Sequence, residues 1–168
     1  MLIRAERRDD VTHVTEVVDA AFGSEGGRSA ESVLIERLRG GEAWIPQLAL
    51  VAEVDERLVG QCLCTRAHVG DTGVLALGPI SVAPERQRTG VGSALMRTSI
   101  DIAVELAAPL IGLLGDYEYY RRFGFVPSSS VGVTSPEPSW GAYFQVLVLD
   151  PRRAPQGVFR YPSPFMEM

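Results

Sequence analysis

The sequence predicts an α+β fold: a mixed, mostly antiparallel central sheet flanked by helices, built around one central β-α-β unit. Three observations lead there. Short apolar stretches with strand-like alternation crowd the first half of the chain. Helical patterns come in a pair near the N-terminus and then singly, so helices do not alternate regularly with strands as in a doubly wound sheet. A strand, a glycine-rich turn, a helix and a strand follow one another over residues 74–114, the order of a right-handed crossover.

Each element has its own local reason. Residues 2–5 form a short first strand. Asp10 is placed to cap a helix in which Val11, Val14, Val18 and Ala21 share a face. The stretch GSEGG at residues 23–27 breaks it. A second helix over residues 29–38 is stopped by Gly40 and Gly41. Residues 48–54, the pair Asp55-Glu56 and residues 58–64 read as a hairpin. Residues 74–82 form a third strand. Pro79 within it has no N–H, so it belongs at an edge or a bulge. The glycine turn then opens a helix with Val91, Leu95, Thr98, Ile102 and Leu106 on one face, ending before Pro109. Residues 110–114 are a buried strand, 118–123 a short helix capped by Asp116, and 142–149 a last strand. The tail, residues 150–168, carries Val158, Phe159, Tyr161 and Phe165, which predicts that it packs back on the body. The chain reads as one domain over residues 1–168, without repeats or an internal linker.

Composition narrows the function classes. The chain has 168 residues and a formal net charge of −5, which argues against a nucleic-acid partner. Its sixteen cationic side chains are all Arg, a compositional habit of the source. The N-terminal MLIRAERRDD has no apolar core of a secretory signal, and no run is long and apolar enough to span a membrane. Cys62 and Cys64 form C-x-C within one strand, read as core thiols of a protein in the reducing cytoplasm. His13 and His68 stand outside any ligand-spaced cluster, so no metal is expected.

The stretch PERQRTGVGSALM carries the chemistry. Gln87, Gly90 and Gly92 are spaced Q-x-x-G-x-G at the start of a helix. The first N–H groups of a helix lack internal partners and sit at the positive end of its dipole, a ready anion site. Gly90 and Gly92 leave the backbone open, and Arg86 and Arg88 add positive charge, so a pyrophosphate is the natural guest. A P-loop is excluded because the chain has no Lys. The dinucleotide fingerprint fails at Leu95, where a third small residue is required.

ISVAPERQRTGVGSALM resembles the acetyl-CoA-binding motif of the GNAT superfamily of N-acetyltransferases, [QR]-x-x-G-x-[GA] after a strand ending in V-x-P. YYRRFGF is similar to the superfamily's Y-x-x-x-G-F segment, with Tyr120 and Gly124 in register. LGDYEYYRRFGF further resembles a bacterial subgroup of predicted acetyltransferases with L-G-D-P-x-Y-Y-x-R-F-G-F, Tyr117 standing where that pattern has Pro; the ending GVFRYPSPF is also like the subgroup's. The resemblance spans essentially the whole chain.

It implies acetyl-CoA as co-substrate and no metal. The pantetheine arm would add to the backbone around Ile80 and Val82 like an extra strand, and Gln87, Arg88, Thr89, Gly90, Val91, Gly92 and Ser93 would wrap the pyrophosphate. The Val82 N–H is the implied oxyanion donor and Tyr120 the implied general acid for the leaving thiolate. Tyr119 is read as a packed ring. The implied reaction moves an acetyl group to a primary amine of a small molecule or protein by direct attack in a ternary complex. A non-catalytic acyl-CoA-binding or sensing module of the same fold is the alternative. No carboxylate lies in residues 74–82 where many relatives carry a base; His68, Asp71, Glu25 and Glu36 remain candidates, as does water alone. The loops at 23–27 and 128–140, with Trp44 and Trp140 as walls, are expected to shape the acceptor pocket. A homodimer is left open.

Overall fold

A computed structural model describes residues 1–23 and 26–168. The strands are β1 (Leu2–Ala5), β2 (Trp44–Val54), β3 (Arg57–Val69), β4 (Thr72–Val82), β5 (Leu110–Leu114), β6 (Val126–Pro127), β7 (Val133–Thr134), β8 (Phe144–Val148) and β9 (Gly157–Arg160). The helices are α1 (Val11–Ala21), α2 (Ala30–Leu38), α3 (Val91–Glu105) and α4 (Tyr117–Tyr120). The sheet runs β1-β2-β3-β4-β5-β8-β6; β9 pairs with β3 and β7. Along that run only β4 and β5 are parallel, joined by α3 as the crossover. The expected mixed, mostly antiparallel sheet is what forms.

Both faces of the sheet are covered, which explains the continuous apolar run of β2. Leu50 and Ala52 pack with Val91, Leu95, Met96 and Ala103 of α3. Ala49 and Val51 pack with Val14 and Val18 of α1 and Leu34, Ile35 and Leu38 of α2. Each Val, Leu, Ile or Met side chain so removed from water contributes roughly 1.5–3 kcal/mol before entropy is counted. The buried face of α3 runs through Val91, Leu95, Met96, Ser99 and Ala103. That departs from the expected face: Leu106, beyond the helix, is exposed.

Other local expectations are refined. Asp10 does not cap α1; its carboxylate accepts from Arg4 and from the Arg7 N–H, because a 3₁₀ turn precedes the helix. Ser29 caps α2 through the Ser32 N–H, and Asp116 caps α4 through the Glu118 N–H. Asp55 and Glu56 both take positive φ, as a tight two-residue hairpin requires. β3 continues through Thr65 to Val69 and turns at Gly70-Asp71 straight into β4, where the sequence reading had ended it at Cys64. The last strand starts at Phe144, and residues 138–143 are 3₁₀ turns. Cys62 and Cys64 are buried free thiols in the α3-side core.

The C-terminal segment is woven into the body. β9 pairs with the end of β3 at His68↔Arg160 and Val69↔Phe159. Phe159 fills the space above Gly112 on β5, where a Cβ would collide with its ring.

Candidate active site

The site begins where β4 leaves β5. The two strands pair at Leu75↔Ile111 and Ala76↔Gly112 and no further, while β4 keeps its ladder with β3 out to Val82. The β3–β4 register shifts between Cys62↔Ile80 and Cys64↔Leu77, so Gly78 and Pro79 form a bulge. Gly78 has φ +142°, and Pro79 has no N–H to leave unpaired. The buried Gln61 side chain fastens this bulge: its Nε2 donates to the Pro79 carbonyl at 3.1 Å and to Ser81 Oγ at 2.9 Å.

The free edge that results has defined polarity. The Ala83 N–H donates to the Val59 carbonyl at 2.8 Å. Alternate residues of an antiparallel strand turn their polar groups to the same side, so Ser81 and Ala83 face β3 while Ile80 and Val82 face the gap. The Val82 carbonyl accepts from Gln87 Nε2 at 3.1 Å. The outward N–H groups of Ile80 and Val82 have no strand to pair with.

Beyond β4 the chain makes a 3₁₀ turn and then the glycine turn. Arg88 (φ +61°) and Gly90 (φ +95°) are both left-handed, which folds the backbone back so that α3 starts at Val91. The first bond of α3 is Ala94 N–H to the Gly90 carbonyl at 3.1 Å. The N–H groups of Val91, Gly92 and Ser93 therefore lack helical partners, and the first turn holds no acidic residue.

Gly92 and Ser93 border a cavity of about 590 Å³ lined by Val82, Gln87, Arg88, Gly90, Gly92, Ser93, Tyr119 and Arg122. Ile80, Thr89 and the buried Val91 flank it in sequence without lining it. Tyr119 and Arg122 are the residues that sequence reasoning missed. A Cβ on Gly92 would stand 3.0 Å from the Tyr119 hydroxyl oxygen. The Arg122 guanidinium lies 4.3 Å from the Tyr119 ring centroid, and its Nε donates to the Tyr119 carbonyl at 3.1 Å. Their signal was present as two more polar side chains in YYRRFGF, but only the docking of α4 beside the start of α3 reveals where they point.

A second cavity of about 320 Å³ opens at the other end of the free edge. Leu77, Gly78, Pro79, Ile80 and Tyr120 form its floor, and Phe22, Leu34, Leu114, Tyr161, Phe165 and Met168 its walls. The Tyr120 ring is held edge-on to Tyr119 and Phe125, with centroids at 4.8 and 6.1 Å, and pressed against Gly115, where a Cβ would collide with it. Burial pushes its hydroxyl well above the ordinary phenol range. Val82 and Tyr119 thus border the first cavity, Ile80 and Tyr120 the second. Two residues of strand, about 7 Å, separate Ile80 from Val82.

Several expected participants stand elsewhere. His68 pairs opposite Gly73 and Asp71 lies in the hairpin turn, roughly 20 Å of strand from Ile80. Glu36 is exposed on α2 and paired with Arg28 at 2.5 Å. Glu25 lies outside the described residues. Trp44 carries Arg39 over its ring at 5.4 Å, and Trp140 packs on Phe144 and Tyr161; neither lines either cavity. No group of three or more His, Cys, Asp or Glu among the described residues is arranged to hold a metal ion.

Residues 14–125 match the Acetyltransferase (GNAT) family model. The chain belongs to the GNAT acetyltransferase family. This GNAT chain is 33% identical over 136 residues to YjhQ, an uncharacterised N-acetyltransferase of Escherichia coli (strain K12), covering 78% of this chain and 73% of that protein. It is similar in structure to a GNAT family acetyltransferase from Brucella melitensis in complex with acetyl-CoA, with TM-score 0.79 and 34% identity over 98% of this chain and 97% of that one. It also resembles YhbS, a GNAT family N-acetyltransferase from Escherichia coli in complex with CoA, with TM-score 0.88 and 25% identity over 98% and 91% of the two chains. Among the described residues of this GNAT chain, no helix is long and apolar enough to cross a membrane.

Proposed function

We propose that this chain is an acetyl-CoA-dependent N-acetyltransferase that moves the acetyl group to a primary amine by direct attack in a ternary complex, with residues 1–168 acting as one catalytic unit. The observation that carries this reading is the pair of cavities joined by the free edge of β4, one shaped for an anion and one holding a buried phenol. The structural relatives from Brucella melitensis and Escherichia coli are complexes with acetyl-CoA and CoA, which supports acetyl-CoA as the co-substrate.

The pyrophosphate sits against the N–H groups of Val91, Gly92 and Ser93 and the turn from Gln87 to Gly90, with Tyr119 and Arg122 opposite. The pantetheine amides bond the outward polar groups of β4. The thioester then reaches the second cavity. The resemblance gives the oxyanion to the Val82 N–H; in this arrangement the Ile80 N–H takes that role, because Ile80 and not Val82 lines the cavity of Tyr120. The amine nitrogen attacks the carbonyl carbon, the C–S bond breaks, the thiolate takes the Tyr120 proton, and the amine gives its extra proton to water. A proton donor placed at the end of the free edge favours this reading over a non-catalytic acyl-CoA-binding module.

Gly92→Asp tests it. The substitution sets a carboxylate and its bulk at the helix start, facing the Tyr119 hydroxyl. Calorimetry should show acetyl-CoA affinity reduced by a hundredfold or more, about 3 kcal/mol, while circular dichroism stays native. Wild-type affinity in the variant places the cofactor elsewhere and ends the proposal.

A further inference from the structure

The phenol of Tyr120 rides on α4, and α4 is a single turn of four residues. A helix that short does not hold its own direction, because nucleation costs more than its few hydrogen bonds return. Those bonds run from the Tyr119 and Tyr120 N–H groups to the Asp116 carbonyl, at 3.2 and 3.1 Å. The heading of α4 is therefore set by the corner that joins it to β5, residues 114–116.

Gln145 on β8 grips that corner. It lies opposite Leu113 of β5 and Pro127 of β6. Its Nε2 donates to the Gly115 carbonyl at 2.9 Å and to the Tyr143 carbonyl at 3.3 Å. The Gly115 N–H donates to the same Tyr143 carbonyl at 2.9 Å, so both peptide planes around Gly115 are fixed. The Gly115 carbonyl shares a plane with the Asp116 N–H, and the bond that holds it also sets how Asp116 enters α4. Gly115 is at the same time the surface on which the Tyr120 ring rests: a Cβ there would stand 2.4 Å from Tyr120 Cε2. A turn of this peptide would move α4 and the bed of the ring together.

From this geometry we propose that Gln145 is the positioning residue for the Tyr120 hydroxyl, a role that rests on the transferase reading above. Packing alone does not account for an amide at this place. Gln145 is fully buried, and its Oε1 finds no protein donor among the described residues. A buried polar group costs free energy unless it is paired, so Met or Leu would fill the space more cheaply. What the amide supplies, and they cannot, is a pair of donors aimed at the corner.

Gln145→Met keeps the volume and removes both donors. Thermal unfolding should fall by a few degrees. Below that transition, calorimetry should show acetyl-CoA affinity nearly unchanged. The kcat for thiol release, read with the best acceptor among phenethylamine, cadaverine, spermidine and a peptide N-terminus, should fall about threefold to tenfold. A double-mutant cycle separates aim from general damage. In a Tyr120→Phe background the same substitution should leave kcat nearly unchanged, because no hydroxyl is left to aim. A second readout needs no chemistry: with an NMR-active carbon at tyrosine Cζ, the Tyr120 resonance should move in Gln145→Met while that of Tyr161 stays. With Tyr120→Phe impaired, full kcat in Gln145→Met or an equal fall in both backgrounds overturns the inference, and so does an unmoved Tyr120 resonance. Should the Met variant not fold, Gln145→Asn, whose amide stops a methylene short of the corner, is read by the same measures. If neither folds, Gln145 builds the domain instead of aiming the phenol, and the inference falls. Failure of acetyl-CoA to bind, or full kcat in Tyr120→Phe while the Tyr120 resonance still moves in Gln145→Met, overturns the transferase reading or its proton donor instead and leaves Gln145 holding the corner.

Discussion

Tyr119 and Tyr120 are neighbours in sequence with opposite surroundings. Tyr119 directs its hydroxyl at the glycine turn under a stacked Arg122, whereas Tyr120 is sunk beside Ile80 in an apolar cavity. Different kinetic parameters should therefore respond to the same atom deletion. Tyr120→Phe keeps the ring against Phe125 and removes the proton donor, so kcat should fall about tenfold or more with acetyl-CoA affinity nearly unchanged. Tyr119→Phe removes a donor aimed at an anion, so acetyl-CoA affinity should fall roughly threefold to tenfold with kcat preserved. The pH profile adds a sign. Burial raises the Tyr120 hydroxyl above its ordinary value of 10.0, so the proton is still present at pH 10. Turnover should climb with pH as the free amine deprotonates and should not decline on the alkaline side before pH 10. An alkaline loss centred near pH 8 would assign the proton to another group, and a kcat unchanged in Tyr120→Phe would assign it to solvent.

At the scale of elements, the bulge of β4 decides which way Ile80 points, and Gln61 holds the bulge from the neighbouring strand. Gln61→Leu fits the space but leaves the Pro79 carbonyl and Ser81 Oγ without their donor. A buried polar group so abandoned costs about 1–3 kcal/mol, or a few degrees of Tm for each kcal/mol in a chain of this size. Thermal unfolding should register that loss, and kcat should drop with it because the free edge loses its fixed direction. Equal stability and equal kcat in the variant would mean that the bulge is set by Gly78 and Pro79 alone. Much of this region is legible in sequence: Pro79 demands a bulge or edge, and Q-x-x-G-x-G demands an open helix start. The rest is not, because it depends on which elements meet. Residues 65–69 lie beyond the strand expected over 58–64. In fact Ala67 and Val69 face inward and Arg66 and His68 outward, a short alternation that only the pairing with β4 and β9 makes decisive. The strands β6, β7 and β9 are too short to show a period at all. Tyr119 and Arg122 reach the anion cavity through the packing of α4 beside α3, which no local pattern encodes.

Across the whole molecule, both chain ends are tied to the sheet that carries the site. The C-terminal segment adds β9 and lends Tyr161 and Phe165 to the second cavity. The N-terminal strand is fastened by one charged cluster. Arg4 on β1 donates to Asp10 at 2.7 and 3.0 Å and to Glu53 on β2 at 2.6 Å. Asp10 also accepts from the Arg7 N–H at 2.6 Å. The Arg4 and Asp10 side chains are 13% and 12% exposed, so this pair is shielded more than a surface ion pair. The hydrogen bonds from Arg4 hold the Asp10 carboxyl below its ordinary value of 3.8. A carboxylate whose pKa is depressed on folding stabilises the native state above its unfolded pKa and loses that contribution as pH falls through the folded value. Asp10→Asn should therefore lower unfolding free energy by about 2 kcal/mol at pH 7. The gap between urea titrations of the two proteins should begin to narrow below about pH 4 and close only below the folded pKa of Asp10, which lies under 3.8. A gap that stays constant from pH 7 to pH 3 would show that the side-chain shape, and not its charge, ties β1 to α1.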